Sequence, residues 1–456
     1  MEKLYLSELL GVLGFSAHDA AAEVTSVVTD SREVTKGCLF IGLRGERFDG
    51  ADFAAEALEK GAAAVLCERA FDDPRIYTVP NAAEAYGRLA AWYKSRFAVR
   101  TVAVTGSVGK TTTKQFIAAV LGERYKVHKT EGNFNNEIGL PKTIFAMPED
   151  TEVAVFELGM NHFGEMERLS RIARPDIAVI TNIGTAHIEY LGSREGILQA
   201  KLEILRGVPE NGCAVFNGDE PLLWNTRGEG KHKKYFFGVD NPACDVLAED
   251  IQELEDGMRF VVKGFGHQFE LFVPVLGRHT VYNALAAVTV ALLLGVKPET
   301  IQVQFSTFRN TGMRQKIYEE QGFTIIEDCY NAGPESTEAA LGVLGNFRDK
   351  GRRIAVLGDM LELGNRSAAE HYRIGRIAAQ KADMLLVYGQ NAHRYVVGAV
   401  TGGMDPRFIE HFDSHAALAS MLKSKARPGD VLLFKGSRGM RMEKALALFL
   451  QQNTEE

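Results

Sequence analysis

The residues best suited to chemistry lie between Thr105 and Thr113, where the sequence reads Thr-Gly-Ser-Val-Gly-Lys-Thr-Thr-Thr. An apolar, strand-like run over 100–104 leads into this stretch, and apolar residues at helical spacing follow it over 116–121. The stretch is therefore predicted to be a turn between a strand and the N-terminus of a helix. Backbone N–H groups that curl around an anion are typical of such a turn, because glycine permits the tight backbone and the helix dipole favours negative charge.

The side chains of this turn are those of a nucleotide phosphate loop. Lys110 can reach the outer phosphates, and the hydroxyl of Thr111 suits Mg²⁺. The general loop pattern has a further glycine where Val104 stands, so Gly-x-x-Gly-Lys-Thr is a shorter match, and its strand–turn–helix setting carries the interpretation. An ordinary glycine turn does not explain a lysine followed by three threonines. The predicted nucleotide-binding residues of the loop are Gly106, Ser107, Val108, Gly109, Lys110, Thr111 and Thr112.

Two further polar residues follow predicted strands of the same region. Glu157 comes after the strand 153–156, and His187 comes a few residues after the strand 177–180. A carboxylate at the carboxyl end of a strand beside a phosphate loop is well placed for Mg²⁺. The competing interpretations are an edge carboxylate for Glu157 and a structural histidine for His187.

Other candidates are less specific when their spacing is considered alone. Lys201 lies in a helix-like segment, where a solvated helix lysine is the ordinary interpretation. His279 and Asn283 open an apolar helix, and Asn283 either contacts a nucleotide base or belongs to the start of the helix. Arg314 lies just past a domain junction, where an arginine can close onto phosphates as a cationic clamp.

The ends of strands in the two outer regions also carry polar residues. Asp328 and Asn331 end the first strand of the third region and are expected to face the same cleft as the phosphate loop. Ser31 and Arg32 follow the apolar stretch 24–28, at a strand end of the kind where α/β proteins bind ligands. A surface turn is the competing interpretation for Ser31 and Arg32.

The elements that must position these residues form three α/β regions. Residues 1–97 are predicted to be a small α/β domain. Residues 98–309 alternate strands and helices and then change to successive strands over 234–274, which predicts a parallel sheet with an antiparallel patch at one edge. Residues 310–456 return to alternation and are predicted to form a Rossmann-like domain. No Gly-x-Gly-x-x-Gly sequence opens this last region, which argues against a dinucleotide.

Length and composition agree with several domains and exclude some classes of protein. A chain of 456 residues is too long for one core. Its hydrophobic content of 46% and charged content of 24% are typical of a soluble globular protein. The formal net charge of −7 argues against a nucleic-acid surface, because no basic block offsets it.

Targeting and redox signals are those expected of a cytoplasmic protein. The five cysteines are scattered and form no Cys-x-x-Cys pair, so neither zinc nor a disulfide framework is indicated. The start of the chain has no apolar segment after a basic start, so no signal peptide is expected. The longest apolar run, 284–294, is too short to span a bilayer.

The chain resembles the Mur ligase family over nearly its whole length. The motifs that carry the resemblance are Thr105-Gly-Ser-Val-Gly-Lys-Thr-Thr112, Gly132-Asn-Phe-Asn-Asn-Glu-Ile-Gly139, Glu157-Leu-Gly-Met160, Asn182-Ile-Gly-Thr-Ala-His187, Ala200-Lys-Leu-Glu203 and Gly277-Arg-His-Thr-Val-Tyr-Asn-Ala-Leu-Ala286. This resemblance implies a three-domain architecture: a domain for a nucleotide sugar, a central P-loop ATPase-like domain and a C-terminal Rossmann-like domain.

Within the family, the resemblance is strongest to the ligases that add D-alanyl-D-alanine to UDP-N-acetylmuramoyl-tripeptide. The motifs are Asp328-Cys-Tyr-Asn-Ala332, Val356-Leu-Gly-Asp-Met-Leu-Glu-Leu-Gly364 and Lys435-Gly-Ser-Arg-Gly-Met-Arg-Met-Glu443. The Asp-Asn-Pro-Arg signature of the family's preceding ligase, which adds the third amino acid of the peptide, is absent from the sequence. Two departures fall on the amino-acid side of the cleft, where Gly333 and Gly439 replace residues that are often Asn and Ser.

The resemblance implies a reaction and a role for each candidate. ATP and Mg²⁺ would activate the tripeptide carboxylate as an acyl phosphate, which the amine of D-alanyl-D-alanine attacks, giving ADP and the pentapeptide precursor of peptidoglycan. The implied catalytic residues are Lys110, Glu157, His187, Lys201 and Arg314. The implied metal-site residues are Thr111, Glu157, His187 and Lys201, with Lys201 as a carbamate formed from CO₂. The implied nucleotide contacts outside the loop are His279, Asn283, Arg314 and Asp328. The implied substrate contacts are Ser31, Arg32, Asn135, Asn136, Asn331 and Arg438.

Two other functions remain open on the sequence. One is a related ligase with a different acid or amine, such as a folate-polyglutamate type, and the other is a nucleotide-binding regulator without turnover. Ser31-Arg32 and the motif that ends at Gly364 argue against the first. Lys110, Glu157, His187 and Lys201 argue against the second, because a pure binder needs no second metal site. The third residue of the tripeptide, lysine or diaminopimelate, stays open, and a cytoplasmic monomer without membrane insertion is expected.

Overall fold

A computed structural model describes residues 4–45, 47–309 and 314–451. The first region holds a parallel sheet in the order β3-β4-β5-β6, with a short antiparallel pair, β1-β2, beside it. Its strands are β1 (Leu4–Tyr5), β2 (Glu23–Val24), β3 (Val27–Val28), β4 (Leu39–Gly42), β5 (Ala64–Cys67) and β6 (Ile76–Thr78). Its helices are α1 (Leu6–Val12), α2 (Ala54–Glu59) and α3 (Ala82–Ser95).

The central region is built on a sheet in which nine strands are found within the described residues, in the order β15-β14-β13-β12-β11-β10-β7-β9-β8. The pairs from β8 to β13 are parallel, and β13-β14-β15 is an antiparallel ribbon at one edge. The strands are β7 (Arg100–Thr105), β8 (Val127–Lys129), β9 (Val153–Glu157), β10 (Ile177–Ile180), β11 (Cys213–Asn217), β12 (Lys233–Gly238), β13 (Val246–Glu253), β14 (Met258–Gly264) and β15 (His267–Val273). The helices are α4 (Lys110–Leu121), α5 (Gly139–Phe145), α6 (Glu165–Ala173), α7 (Ile188–Leu191), α8 (Arg194–Leu202), α9 (Pro221–Trp224), α10 (Arg278–Leu293) and α11 (Pro298–Ser306).

The third region has its own sheet, with six strands among the described residues in the order β16-β17-β21-β18-β19-β20. Only the β16-β17 pair of this sheet is antiparallel within that part of the chain. The strands are β16 (Lys316–Glu320), β17 (Phe323–Asp328), β18 (Arg353–Gly358), β19 (Met384–Tyr388), β20 (Ile409–Phe412) and β21 (Val431–Lys435). The helices are α12 (Pro334–Gly345), α13 (Ser367–Lys381), α14 (Ala392–Thr401), α15 (His415–Lys425) and α16 (Met442–Leu450).

Burial explains why the central strands are apolar on both faces. β9 and β10 are buried along their whole length, since helices cover both sides of the parallel sheet. α10 is apolar almost all round and buries most of its residues between the sheet and α4. This packing fixes the strand β7 and the helix α4, between which the phosphate loop lies.

The structure confirms the predicted α/β class, the parallel central sheet and the antiparallel patch at its edge. One expectation was wrong in detail: the apolar stretch 24–28 is not a single strand, because Val24 pairs with β1 whereas Val27 and Val28 pair with β4. The boundaries at 97/98 and 309/310 stay a prediction, and 310–313 lie outside the described residues. Within the described residues, no helix is long and apolar enough to cross a membrane.

Candidate active site

A cavity of about 620 Å³ lies between the carboxyl ends of the central strands and the third region. The phosphate loop lines one side, and the ends of β17 and β21 line the other. The structure thus brings residues from two distant parts of the chain into one cleft. The predicted site residues that line it are Ser107, Val108, Gly109, Lys110, Thr112, His187, His279, Asn283, Arg314, Asp328, Asn331 and Arg438.

The phosphate loop is shaped by Gly109 and by the helix behind it. Gly109 has φ of +84°, a backbone conformation that favours glycine, and α4 begins at the next residue. A Cβ added at Gly109 would lie 2.3 Å from Oδ1 of Asn283. The Thr113 hydroxyl donates a 3.3 Å hydrogen bond to the same oxygen. Asn283 therefore packs directly beneath the loop, with the rest of α10 fixed in the core.

The next strand of the sheet also holds the loop in place. Asn182, just after β10, accepts hydrogen bonds through Oδ1 from the backbone N–H groups of Ser107 (3.1 Å) and Val108 (3.0 Å). The Thr181 hydroxyl donates to the carbonyl of Val108 at 2.5 Å. The backbone N–H of Gly184 donates to the Ser107 hydroxyl at 2.9 Å. Two N–H groups of the loop are therefore held by an amide oxygen from the neighbouring strand end.

The side chain of Lys110 lies over the phosphate loop and lines the cleft. Its Nζ donates a 2.9 Å hydrogen bond to the carbonyl of Gly106, which folds the side chain back over the loop. Burial lowers the pKa of Lys110, the nearby Glu157 raises it, and Arg314 lowers it further. Lys110, Glu157 and Arg314 are thus electrostatically coupled in one cluster.

Glu157 is almost fully buried at the end of β9 and is held by three other side chains. The Thr111 hydroxyl donates to Oε2 at 2.8 Å, and Nδ2 of Asn135 donates to Oε1 at 2.9 Å. Nζ of Lys114 lies 3.4 Å from Oε2. Burial alone would raise the pKa of Glu157, but Lys114, Lys110, Arg314 and the Thr111 hydrogen bond outweigh it and keep that pKa below its usual value. Glu157 is therefore an ionised carboxylate inside the protein.

The Thr111 and Glu157 oxygens are a donor set that fits Mg²⁺, which prefers hard oxygen ligands and keeps several waters. The two oxygens are 2.8 Å apart, so one ion can be bound by both after the hydrogen bond opens. No group of three or more His, Cys, Asp or Glu side chains with metal-binding geometry is found in the described part of the chain. The residues therefore fit a Mg²⁺ that is completed by water and phosphate.

Lys201 does not lie on a solvated helix face. Its side chain is 2% exposed, and no ion pair or hydrogen bond of its amine is found among the described residues. Burial lowers the pKa of Lys201 far below its usual value, and the positive charge of Lys110 lowers it further. A buried lysine without a carboxylate is strongly unfavourable as an ammonium. Burial and the charge of Lys110 therefore favour the neutral, nucleophilic form of this amine.

His187 faces the third region of the chain. It caps α7 with φ of +63°, and its Nδ1 lies 2.7 Å from Oε2 of Glu362, at an angle outside that of a hydrogen bond. This contact lowers the pKa of Glu362. The Thr185 hydroxyl lies 3.0 Å from Oε1 and 3.1 Å from Oε2 of Glu335, the second residue of α12. Two carboxylates of the third region thus reach the segment after β10.

The other side of the cleft is a second polar network. Nζ of Lys435 donates to Oδ2 of Asp328 at 2.5 Å and to the carbonyl of Asn331 at 3.0 Å. The guanidinium of Arg314 stacks 4.1 Å over the ring of Tyr330. These contacts join the strand ends of β17 and β21 and keep Asp328 and Asn331 at the cleft.

Two more predicted residues of the cleft have well-defined contacts. His279 Nε2 lies 3.1 Å from Oε1 of Gln315. Burial lowers the pKa of His279, which Gln315 and Asp328 partly offset, so the ring is neutral. Arg438 donates to Oε1 of Glu443 at 3.0 Å and remains more than half exposed.

The structure places several predicted residues away from this cavity. The residues that line the cavity do not include Thr111, Glu157, Asn135 and Lys201. Asn136 accepts hydrogen bonds from the backbone N–H groups of Ile138 and Gly139 at the start of α5. Ser31 and Arg32 lie in the first region. Arg32 is 87% exposed at its side chain and forms a bidentate pair with Asp30. Lys142 of α5 pairs with Glu33 at 2.8 Å, so this surface adjoins the central region.

Residues of the site that sequence reasoning did not assign include Lys114, Asn182, Glu335 and Glu362. Lys114 lies one helical turn after Lys110, and a second lysine facing the same side was a usable signal. Asn182 stands directly after a buried strand and could have been found by the argument used for Glu157. Glu335 and Glu362 come from a distant part of the chain, so their proximity to Thr185 and His187 required the structure.

Comparison with known proteins agrees with this geometry. Three family models match the chain: "Mur ligase family, catalytic domain" at 23–96, "Mur ligase middle domain" at 104–291 and "Mur ligase, glutamate ligase domain" at 313–438. A UDP-N-acetylmuramoyl-tripeptide–D-alanyl-D-alanine ligase of Bacillus subtilis is 43% identical over 92% of both chains. The enzyme of the same name in Escherichia coli is 35% identical over 99% of both.

Solved structures give the same result. The crystal structure of MurF from Acinetobacter baumannii has a TM-score of 0.90 and 31% identity, with 99% of this chain and 100% of that chain covered. MurF ligase from Thermotoga maritima in complex with ADP has a TM-score of 0.83 and 32% identity, with 93% and 97% covered. With its three family domains in order and its cleft between the second and third, the chain belongs to the Mur ligase family.

Proposed function

We propose that this chain is the ATP-dependent ligase that joins D-alanyl-D-alanine to UDP-N-acetylmuramoyl-tripeptide, forming the UDP-linked pentapeptide used for peptidoglycan. The observation that carries the proposal is the cleft itself, in which a phosphate loop faces Asn331 and Arg438 of the third region. The relatives that match nearly the whole chain carry this activity in their names, and the related Thermotoga protein was solved with ADP.

The reaction needs activation, because a carboxylate and an amine do not condense in water. The tripeptide carboxylate attacks the γ-phosphoryl group and forms an acyl phosphate, with ADP as the leaving group. Lys110 and Arg314 neutralise charge on the phosphoryl group as it transfers. Thr111 and Glu157 would hold Mg²⁺, which would supply further electrostatic stabilisation.

The second half of the reaction uses the other wall of the cleft. The free amine of D-alanyl-D-alanine attacks the acyl carbon, a tetrahedral intermediate forms, and inorganic phosphate leaves. Asn331 and Arg438 lie on the dipeptide side, and the Arg438 guanidinium suits its carboxylate. His279, Asn283 and Asp328 would contact the nucleotide.

The buried amine of Lys201 supports the proposal that it becomes a carbamate. A neutral amine reacts with CO₂, loses a proton and becomes a carbamate anion. That anion would attract the positive charge of Lys110, and with His187 it would serve a second Mg²⁺. The observation that supports this role is burial at 2% exposure without a neighbouring carboxylate in the described part of the chain.

The remaining assignments follow from the same proposal. Ser31 and Arg32 would bind the uridine diphosphate group, with the muramoyl-peptide reaching Asn135 and Asn136. The domains would be 1–97, 98–309 and 310–456, and the enzyme would act as a cytoplasmic monomer.

The deciding experiment is phosphate release with each substrate omitted in turn. Rapid release should need ATP, Mg²⁺, UDP-tripeptide and D-alanyl-D-alanine together, and the lysine and diaminopimelate tripeptides would be compared side by side. Lys110→Ala should lose this activity by at least about a hundredfold, since charge neutralisation at the phosphoryl group is lost. Turnover with a different acid or amine, or none with any pair, would refute the proposed substrates.

A further inference from the structure

One carboxylate that lines the cleft has neither a cationic side chain nor an imidazole beside it among the described residues. Asp328 pairs with Lys435, and Glu362 lies 2.7 Å from Nδ1 of His187. Glu335, on the first turn of α12, contacts the neutral hydroxyl of Thr185, and no cationic side chain of the described residues lies within ion-pair distance of it. An acid that lines a cleft built for anionic phosphates is costly there unless a positive group joins it.

The position of Glu335 brings this carboxylate close to the phosphate loop. Its Cδ lies 2.9 Å from the point where a Cβ would stand on Gly184, so the backbone of Gly184 is in close contact with the acid. The N–H of Gly184 in turn donates to the hydroxyl of Ser107 in the phosphate loop. Glu335 is thus separated from the loop by a single residue of the neighbouring segment.

Among the reacting groups of the proposed substrates, one is a cation. ATP is anionic, the reacting group of the tripeptide is a carboxylate, and D-alanyl-D-alanine enters with an ammonium at one end and a carboxylate at the other. Arg438, on the same cleft wall, suits that carboxylate. The ammonium end must come close to the acyl phosphate beside the loop.

We propose that Glu335 is a specificity-determining residue that binds the ammonium group of the incoming dipeptide. This inference rests on the proposed function and names a contact within it. As the dipeptide binds, its ammonium donates hydrogen bonds to the carboxylate of Glu335, with Thr185 holding that carboxylate in place. The ammonium then loses one proton to solvent before the free amine attacks. Glu335 at the ammonium end and Arg438 at the carboxylate end then complement the charges of the dipeptide. This complementarity favours a ligand with a charged ammonium over one with a neutral group of the same size.

A purely structural role makes a different prediction. Glu335 lies in the first turn of α12, where an acidic residue is stabilised by the helix dipole. If that were its only role, Glu335→Gln would lower thermal stability slightly and leave every Michaelis constant unchanged. Glu338, on the same helix and paired with Arg373, provides a matched control because it is exposed at the surface.

The test compares Glu335→Gln with Glu338→Gln in the full enzyme. Glu335→Gln should raise KM for D-alanyl-D-alanine by about ten- to hundredfold, the range for a charged hydrogen bond, while KM for ATP and for UDP-tripeptide changes less than about twofold. Glu335→Asp should recover part of the loss, and Glu338→Gln should match the wild type. An unchanged dipeptide KM, or an equal rise in KM for ATP, would overturn the inference.

A second measurement identifies the group that is recognised. An analogue with a hydroxyl in place of the ammonium should inhibit the wild type far more weakly than the dipeptide binds, and Glu335→Gln should lose at least about tenfold of that preference. The same preference in both proteins would overturn the inference. Both measurements require wild-type turnover with D-alanyl-D-alanine, so failure of the proposed function itself appears separately, as absence of that turnover.

Discussion

At the scale of single residues, Lys201 shows how burial changes the meaning of a side chain. Its sequence context is that of any helix lysine, but the side chain lies inside the protein and close enough to Lys110 for their charges to interact. A lysine with a strongly lowered pKa is a candidate for chemistry, because the lowered pKa favours the unprotonated, nucleophilic amine. The interpretation of Lys201 as an ordinary solvated helix lysine was therefore wrong.

Lys201→Ala should lose most ligase activity, because the second metal site loses its anionic neighbour. Formate or acetate should restore part of the activity by occupying the vacated space. The measurement is turnover with and without added formate, alongside a thermal melt that shows the variant to be folded. A folded variant with wild-type turnover would contradict the carbamate proposal.

Lys94→Ala is the matched control for that experiment. Lys94 is also a buried lysine, at 9% exposure, but it lies on α3 away from the cleft. Any change in activity of this variant should follow its loss of stability, and formate should have no effect on it.

At the scale of elements, the sequence predicted most of what positions the site. The phosphate loop, the strands β9 and β10 and the helix α10 were predicted because their apolar runs are long and periodic. The stretch 24–28 was mistaken for one strand, because hydrophobic pattern does not show where a chain leaves one sheet and joins another. The contact between Glu362 and His187 could not be predicted from the sequence for a similar reason, because it depends on the relative placement of two separate domains.

The same buried Lys94 leads to a prediction for the helix α3. Burial lowers the pKa of Lys94 to about 8, with Asp176 partly offsetting that effect. The unfolded chain keeps a pKa near 10.4, so between pH 8 and about 10.4 it binds more protons than the folded protein, and this contribution makes stability rise with pH. Below pH 8 the cost of burying the charge is fully present.

Lys94→Met should therefore stabilise the protein at pH 7, by about 1–3 kcal/mol in the free energy of unfolding. It should also weaken the rise of stability between pH 8 and 10. Denaturant unfolding across this pH range measures both effects, with Lys126→Met at an exposed surface pair as the control. A variant that is less stable than the wild type at pH 7 would contradict the assignment.

At the scale of the whole molecule, contacts between the central and third regions hold the two walls of the cleft together. The polar ones around the site include Thr185 with Glu335, His187 with Glu362 and His279 with Gln315. Small polar interfaces between domains are readily opened, so relative motion is the expected behaviour. Closure around the substrates would exclude water from the acyl phosphate, which hydrolysis would otherwise destroy.

UDP-tripeptide together with a non-hydrolysable ATP analogue should therefore lower the radius of gyration of the enzyme. Small-angle X-ray scattering measures this change, and each ligand added alone provides the control, with a smaller effect expected because fewer cleft walls are bridged. The same radius of gyration with and without both ligands, at concentrations where binding is shown independently, would argue against closure driven by ligands.

The amide oxygen of Asn182 on the phosphate loop has a consequence for how the nucleotide arrives. The N–H groups of Ser107 and Val108 have an acceptor in Oδ1 of Asn182, so a phosphate oxygen that binds either of them replaces an existing hydrogen bond. Binding is then an exchange between two acceptors, and the measured affinity for ATP reports the difference between them. Asn182 holds the loop in this shape. A ligand whose oxygens are weak hydrogen-bond acceptors therefore gains little binding free energy by displacing that side chain.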